Sequence, residues 1–525
     1  LRRVTKSHGS GDGIGWYAQM HLGFLRCIWN IRYTFQPLFG TFRTDTRIFI
    51  VYRTIACGAA AAALSLVSGV TLAGSDVYGG FPVTLQGYYG TKTNSVSYTG
   101  QIARHVLHDS LKKLAGKGNG KPNAALKAQM LSYFKTKDAG RSIVAPKSKG
   151  PFKIKQNGID QISKGKNLSG KTFKGTIAGM PNNMTGQELI EFWIGKASAA
   201  NKGVDKANGY NYPQLISKFT MGAVSYNQAV DNYLDEKLSA AKKPNDKPYK
   251  KGAHYTGKEH SWDEAFGYFG APAHTMKLSA KQVYEIAKQG KKSKPPAAAQ
   301  KFADYNSDGV VDLKTEMTFG PAYYAAAFDK GGKTKYLHTI MRAFLDGRHL
   351  LARAKGKKLS DQERAQLRSL AATIETNWEA VLAEATFKYA GSVYRDMSKI
   401  KTILDAKGDT SKVLKNYIKH WGELKGFSLA LQTGKKNLGD TATRLNRMIG
   451  FGPLMPNLSQ VTDIDSSGNY VRDQGSSWGE YMLHMVKVQK LLADKFKIKA
   501  KAKDESKKLS ELTKSLGGGS SAEND

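Results

Sequence analysis

Residues 360–389 read SDQERAQLRSLAATIETNWEAVLAEATFKY and carry a helical pattern of apolar residues. Similar patterns cover most of the chain, whereas alternating β-branched runs are few, so the fold class is predicted to be mainly α. We expect one or two packed helical bundles. The other predicted helices are 97–116, 122–137, 185–199, 211–240, 259–270, 278–290, 320–330, 333–355, 391–406, 409–433, 436–449 and 478–502.

Between these helices the chain has long loops that are rich in glycine and lysine. Residues 138–183 are predicted as one such loop, and 241–258 as a basic, proline-containing linker. The linker divides an N-terminal helical half, 74–250, from a C-terminal helical half, 251–515. The ending SLGGGSSAEND predicts a disordered tail over 516–525.

The charge balance is strongly basic, because 80 Lys and Arg residues face 43 Asp and Glu residues and give a formal net charge of +37. One interpretation is a solvated basic surface. The other is an acidic partner, such as an anionic glycan, an envelope surface or a small acidic ligand. No nucleic-acid-binding motif is present, so nucleic acid is not an expected partner. With only one apolar stretch near membrane-spanning length, no multi-span membrane domain is expected.

The N-terminal region resembles an export signal. The run TIACGAAAAALSLVSGVTLA, 54–73, follows Arg53 and ends on small residues, so 51–73 is predicted to be a signal peptide cleaved after Ala73. The alternatives are a signal-anchor or a lipoprotein modified at Cys57. Residues 1–50 fit no targeting class and are interpreted as an upstream extension outside the fold. The expected location is periplasmic, at the cell surface or secreted.

Two His/Glu pairs are candidate metal ligands. His260 and Glu264 are four residues apart, and His420 and Glu423 are three apart, so each pair shares one helix face beside aromatic residues. Such pairs on facing helices can assemble a metal site in a bundle. The hypothesis is that all four bind a divalent transition metal such as iron or zinc; the alternative is an ordinary hydrogen-bonded pair on each helix.

A third candidate site is the stretch DYNSDGVVDLKTE, 304–316. Its oxygen-bearing residues and its central Gly309 match the spacing of a calcium loop, except that the final acid stands one position late. The alternative is an ordinary Asp/Asn/Gly turn. The predicted calcium ligands are Asp304, Asn306, Asp308, Val310, Asp312 and Glu316.

Six segments resemble an exported bacterial family, the domain of unknown function 4856. They occur in family order over 85–435, and the resemblance implies export without implying an activity. The segments are VSYTGQIARHVL (96–107), ISKFTMGAVSYNQAVDNYL (216–234), EHSWDEAFGYFG (259–270), DYNSDGVVDLKTEMTFG (304–320), FLDGRH (344–349) and HWGELKGFSLALQ (420–432).

A more distant resemblance is to the imelysin-like, iron-regulated proteins, which are helical periplasmic or surface proteins with a G-x-H-x-x-E motif. His420 and Glu423 fit its H-x-x-E part, and Ile418 stands where the motif has glycine. The resemblance implies a binding function linked to iron or to acidic polysaccharide, and a debated peptidase activity.

These observations predict a non-enzymatic, exported binding protein for a metal ion or for a metal-bound or acidic ligand. The first alternative is a metal-dependent hydrolase, in which a glutamate acts as general base on a metal-bound water. The second is a structural or adhesive surface protein that binds acidic glycans through its basic surface.

Overall fold

The computed structural model describes residues 75–290 and 296–516. The predicted extension 1–50, the signal peptide 51–73 and tail residues 517–525 lie outside the described residues. The mainly α prediction is confirmed, since the described part holds fourteen α-helices and two small sheets. The helices are α1 Thr99–Ala115, α2 Ala124–Phe134, α3 Gly186–Ala199, α4 Tyr212–Thr220, α5 Gly257–Phe269, α6 Ala280–Lys288, α7 Pro296–Ala303, α8 Gly320–Asp329, α9 Tyr336–Arg353, α10 Asp361–Asp405, α11 Ser411–Ala430, α12 Gly439–Ile449, α13 Trp478–Lys495 and α14 Leu509–Ser515.

The two sheets are antiparallel pairs. Strands β1 Val204–Asp205 and β2 Tyr210–Asn211 form the first, and β3 Ser459–Ile464 and β4 Tyr470–Gln474 form the second. The second pair shifts register between Val461 and Asp463. Both pairs are short additions to the helical core.

Helix α10 is the axis of the fold, and it packs against α9, α11 and α13. It is one continuous helix of 45 residues, so the predicted division at residue 390 is wrong. The surroundings of Gly391 explain why a glycine stands here without ending the helix. This residue lies inside the helix where the Lys503 carbonyl comes too close to leave room for a β-carbon, so the glycine admits a crossing segment instead of ending the helix.

The predicted helix over 211–240 begins as α4 and then widens. Residues Met221–Tyr226 and Gln228–Tyr233 form π-helical turns, which are uncommon and often occur at functional sites. Gly222 lies in the first of these turns against Ala430 of α11. The widened segment therefore packs directly on the C-terminal helices.

Five of the described α-helices begin with a reciprocal cap between a Ser or Thr and a Glu or Gln three residues later. Each pair satisfies two backbone N–H groups at a helix start and fixes where the helix begins. The pairs are Thr185/Glu188, Thr256/Glu259, Ser279/Gln282, Ser360/Glu363 and Ser477/Glu480.

The described residues, 75–290 and 296–516, belong to one compact unit, which holds described residues of both predicted halves. Within the predicted linker, the ammonium group of Lys258 donates to the carbonyl oxygens of Lys237 (2.6 Å), Ser239 (2.6 Å) and Lys242 (2.5 Å). The linker is thereby fixed to the start of α5. Across the described ranges, none of the helices combines the length and apolar character that a membrane crossing requires.

Candidate functional site

The first predicted pair lies in a buried cluster of tyrosines. His260 Nε2 is 3.7 Å from Glu264 Oε2 on α5. The Glu264 carboxylate accepts hydrogen bonds from Gln101 Nε2 (2.9 Å) and from the hydroxyls of Tyr233 (3.0 Å) and Tyr249 (3.2 Å). Three neutral donors therefore already surround this carboxylate.

The ring of His260 is held between aromatic rings. Tyr255 stacks on it with centroids 4.4 Å apart, and Tyr249 meets it edge-on at 4.2 Å. Burial lowers the pKa of His260 to about 4, against the opposing effect of Glu264. The imidazole is consequently neutral at physiological pH.

The second predicted pair does not share a hydrogen bond. His420 Nδ1 lies 2.6 Å from Asp396 Oδ2 on α10. Glu423 accepts a hydrogen bond from the Tyr389 hydroxyl (3.1 Å), and its carboxylate is 3.8 Å from the ammonium groups of both Lys218 and Lys419. Burial raises the pKa of Glu423, but the nearby lysines outweigh it, so the net shift is downward.

The structure does not bring the four predicted ligands into one cluster. Within 75–290 and 296–516, no group of three or more His, Cys, Asp or Glu residues is placed to hold a metal ion. His260 and Glu264 contact tyrosines, whereas His420 and Glu423 contact an aspartate and lysines. The two pairs therefore have different neighbours, and these contacts do not support the prediction that the pairs meet in one site.

The predicted calcium loop is closed by its last acid. Glu316 Oε1 accepts from the backbone N–H of Tyr305 (3.0 Å), and Glu316 Oε2 from that of Asp312 (2.7 Å). Asp304 accepts from the N–H groups of Asp308 (3.1 Å) and Gly309 (2.9 Å). The late position of Glu316 thus lets it bridge both ends of the loop. Calcium binding here stays a prediction.

The other predicted members of the loop lie on its exposed side. Asn306 Oδ1 accepts from Asp308 N–H (3.1 Å), and Asp308 Oδ1 accepts from Val310 N–H (3.1 Å). Lys155 Nζ lies 3.3 Å from Asp308 Oδ2. The loop is attached to an extended segment by the backbone bonds Lys155 N–H to Val311 O (3.0 Å) and Val311 N–H to Lys153 O (2.8 Å).

A cavity of about 710 Å³ lies where α1, α4, α6, α8, α10 and α11 meet. Eight basic and three acidic side chains line it, so its formal charge is strongly positive. His420, Glu423 and Asp396 are part of this lining, whereas His260 and Glu264 are not. The basic residues are Lys112, Lys218, Lys288, Lys388, Arg395, Lys399, Lys419 and Lys503; the acidic ones are Asp109, Asp396 and Glu423.

Lys218 is the most deeply buried cation of the cavity. Its side chain is 4% exposed, and its Nζ lies 5.3 Å from the centre of the Tyr324 ring. Burial lowers its pKa well below the ordinary value, and the neighbouring Lys112 lowers it further. Burial likewise lowers the pKa of Lys388. The charged forms of both lysines are therefore disfavoured by burial, and a bound anion would stabilise them.

Aromatic rings form another wall of the cavity. The Tyr324 hydroxyl lies 3.2 Å from that of Tyr389, which donates to Glu423. Lys288 Nζ lies 4.5 Å from the centre of the Tyr323 ring. The cavity therefore combines basic side chains, aromatic rings and the hydrogen-bonded chain Tyr324–Tyr389–Glu423.

Sequence reasoning selected the H-x-x-E residues but missed the lysines that surround them. One signal was available. In the segment LISKFT, 215–220, Lys218 stands among residues that the helical period places inside the protein. A lysine at such a position needs a partner, and this indicates a charged interior site.

Residues 152–302 match the family model described as Domain of unknown function (DUF4856). This confirms the resemblance for that part of the chain, which contains α3 to α6 and the His260–Glu264 pair. The match ends before the calcium loop and before His420. Searches among curated proteins and among solved structures found no match.

Proposed function

We propose that the protein is a non-enzymatic binding protein that takes a small anionic ligand into the basic cavity. The observation that carries this proposal is the lining itself, in which eight basic groups outnumber three acidic ones. An anion bound there would reduce the repulsion among the lysines, and that relief adds to the binding free energy. Of the ligand classes predicted from sequence, the acidic ligand is the one that this geometry favours.

The cavity also explains why one lysine is retained inside the protein. A buried lysine is unfavourable unless it is paired. Lys218 forms an ion pair with Glu423, but at 3.8 Å the two groups do not share a direct hydrogen bond. An anionic ligand would supply the missing acceptor. The tyrosine wall would contact the uncharged part of the same ligand.

The proposed location is the periplasm or the cell surface. Support comes from the sequence pattern of 51–73, which resembles a signal peptide. A ligand-binding protein outside the cytoplasm would meet small anions before they are taken up. The metal-dependent hydrolase and the adhesive protein remain alternatives without an observation that favours them.

The proposal is tested by calorimetry on the full chain with citrate, inorganic phosphate and glucuronate, and with glucose as the neutral probe. We expect the anions to bind, glucose to bind more weakly, and the affinity for anions to fall with added salt. Lys218→Met should weaken anion binding by about tenfold or more, since a charge-assisted hydrogen bond is lost.

Lys425→Met is the matched control. Lys425 is also fully buried, but its ammonium donates to the Gly450 carbonyl (2.7 Å) and does not line the cavity. Its loss should leave anion affinity unchanged while melting temperature reports any structural effect. Equal affinity for glucose and the anions, or equal losses in the two variants, would overturn the proposal.

A further inference from the structure

The wall of the cavity at the start of α8 contains groups that together suit an oxyanion. We propose that the ligand is a hydroxylated oxyanion, a sugar phosphate or a sugar acid, whose charged group lies at the N-terminus of α8. This inference rests on the proposed function and names the chemical class of its ligand.

Helix α8 presents its N-terminus without a side-chain cap. Its N-cap residue is Phe319, which has no capping side chain, and Gly320 and Pro321 follow. The first N–H groups of a helix have no partner within the helix and carry a partial positive charge, so they attract anions. Pro321 has no N–H and the Tyr323 N–H donates to the Phe319 carbonyl (2.9 Å), so in α8 these groups are the N–H of Gly320 and of Ala322. Thr318, Phe319 and Gly320 all line the cavity.

Contacts with Gly270 and His105 fix the position of this helix start. Phe319 N–H donates to the Gly270 carbonyl (2.8 Å), and the Phe319 ring stacks on His105 with centroids 5.0 Å apart. The N–H groups of the first turn are therefore held in place before any ligand arrives. Such preorganisation lowers the entropy that binding must overcome.

Thr318 provides a second and independent sign of a ligand. Its side chain is 3% exposed, yet its hydroxyl has no hydrogen-bond partner among the described residues. A buried hydroxyl without a partner is unfavourable, and a ligand oxygen in the cavity would supply one.

Two lysines that line the cavity lie against tyrosine rings of α8. Lys288 Nζ lies 4.5 Å from the Tyr323 ring, and Lys218 Nζ lies 5.3 Å from the Tyr324 ring. Tyr323 and Tyr324 are consecutive residues of α8. An oxyanion at the helix start would thus share the cavity with backbone N–H groups, a hydroxyl and these two lysines.

Other polar groups of the cavity need hydrogen-bond donors. Glu423 Oε2 and Gln214 Oε1 are buried, line the cavity and have no hydrogen-bond partner among the described residues. Carboxylate and amide oxygens only accept hydrogen bonds, so the ligand must bring donors. Hydroxyl groups meet this requirement, whereas a simple inorganic anion at neutral pH meets it poorly.

The test compares four probes by calorimetry on the full chain: glucose 6-phosphate, glucuronate, inorganic phosphate and glucose. The first two carry both an oxyanion and hydroxyls, and the last two carry one feature each. We expect one of the first two to bind at least about tenfold more tightly than either single-feature probe, since each added hydrogen bond contributes. Which of the two binds more tightly identifies the oxyanion as phosphate or carboxylate.

Thr318→Val removes only the hydroxyl and should weaken binding of glucose 6-phosphate and glucuronate several-fold. Thr220→Val is the matched control, because the Thr220 hydroxyl is also buried and without a partner but does not line the cavity. Gln214→Met should weaken the hydroxylated anions and spare inorganic phosphate.

The outcomes separate the two proposals. If anions bind and respond to Lys218→Met, but Thr318→Val behaves like Thr220→Val, the subsite at α8 is overturned while the binding function stands. Inorganic phosphate binding as tightly as the hydroxylated anions also overturns it. If no anion binds more tightly than glucose, the proposed function itself fails.

Discussion

Arg348 Nε donates a hydrogen bond to Asp263 Oδ1 over 3.0 Å, and neither side chain has any exposed surface. The same guanidinium donates from Nη1 to Glu259 Oε1 over 2.9 Å. Asp263 also accepts from the Tyr78 hydroxyl (2.8 Å). One cation therefore joins α9, the start of α5 and the segment that precedes α1.

Arg348→Met should lower the free energy of unfolding by about 3–5 kcal/mol, because it leaves two buried carboxylates without their cation. Arg342→Met on the same helix is the control. Arg342 pairs with Asp76 at the surface, and exposed pairs contribute about 0–1 kcal/mol. Denaturant unfolding of both variants checks this, and similar losses would contradict the assigned role of Arg348.

Acid should destabilise the protein through buried, neutral histidines. Burial lowers the pKa values of His260 and His105 to about 4, below the unfolded value near 6.5. The unfolded state therefore binds more protons in this range, and stability present above pH 6.5 is lost as pH falls toward 4. Unfolding free energies measured across this range should show a smaller decline in His260→Phe than in wild type. An unchanged decline would show that His260 does not contribute.

Anion affinity should fall as pH rises through about 6. Burial raises the pKa of Asp109 to about 6 against the opposing effect of Lys112 and Lys218, so its deprotonation adds a negative charge to the cavity. The other titratable and charged groups that line the cavity are Lys288, Lys388, Arg395, Asp396, Lys399, Lys419, His420, Glu423 and Lys503. Glucuronate is the probe, because its carboxylate is ionised at both pH values. Its dissociation constants at pH 5 and pH 7.5 should differ in wild type and converge in Asp109→Asn. Equal pH dependence in both proteins would exclude Asp109 as the cause.

Calcium should raise the melting temperature if the loop at 304–316 binds it. A ligand that binds only the folded state stabilises it by about 2.7 kcal/mol at a hundredfold excess over its dissociation constant. Asp304→Ala should remove this calcium-dependent shift. The melting temperatures of the variant and of wild type should therefore differ more in calcium than in chelator. A wild-type melting temperature that does not respond to calcium would identify the loop as a plain turn.

Metal analysis distinguishes one four-residue metal site from two independent pairs. The two pairs have different neighbours. We therefore expect His260→Ala to leave any metal bound at His420 unchanged, and His420→Ala to leave any metal bound at His260 unchanged. Elemental analysis of protein purified without chelator measures this. Loss of all bound metal in both single variants would instead support one shared site.

Local sequence patterns predicted the helices well, because helix starts are encoded by residues close in the chain. Ser360 with Glu363 begins α10 in the structure where the pattern begins in the sequence. The pattern failed at Gly391, because the reason for that glycine is the carbonyl of Lys503, more than a hundred residues away. Local spacing carries no information about such a crossing.

The same limit applies to the candidate site. His420 and Glu423, which the spacing predicted as metal ligands on one face of α11, both line the cavity, and their role as metal ligands stays a prediction. It could not show that Asp396 and Lys218 would be their partners, because those residues belong to other helices. The packing of the whole core decides which helices are neighbours, and the lysine-rich lining forms only where those helices come together.

The ammonium of Lys258, held by three backbone carbonyl oxygens, occupies the kind of oxygen cage that proteins also offer to potassium ions. Here the cation is covalently attached to the chain through its own side chain. The turn at 237–242 is therefore bridged by a cation that the chain itself supplies and not by an ion from solution. For a protein proposed to work outside the cytoplasm, where salt composition follows the environment, this internal cation keeps one connection of the fold constant.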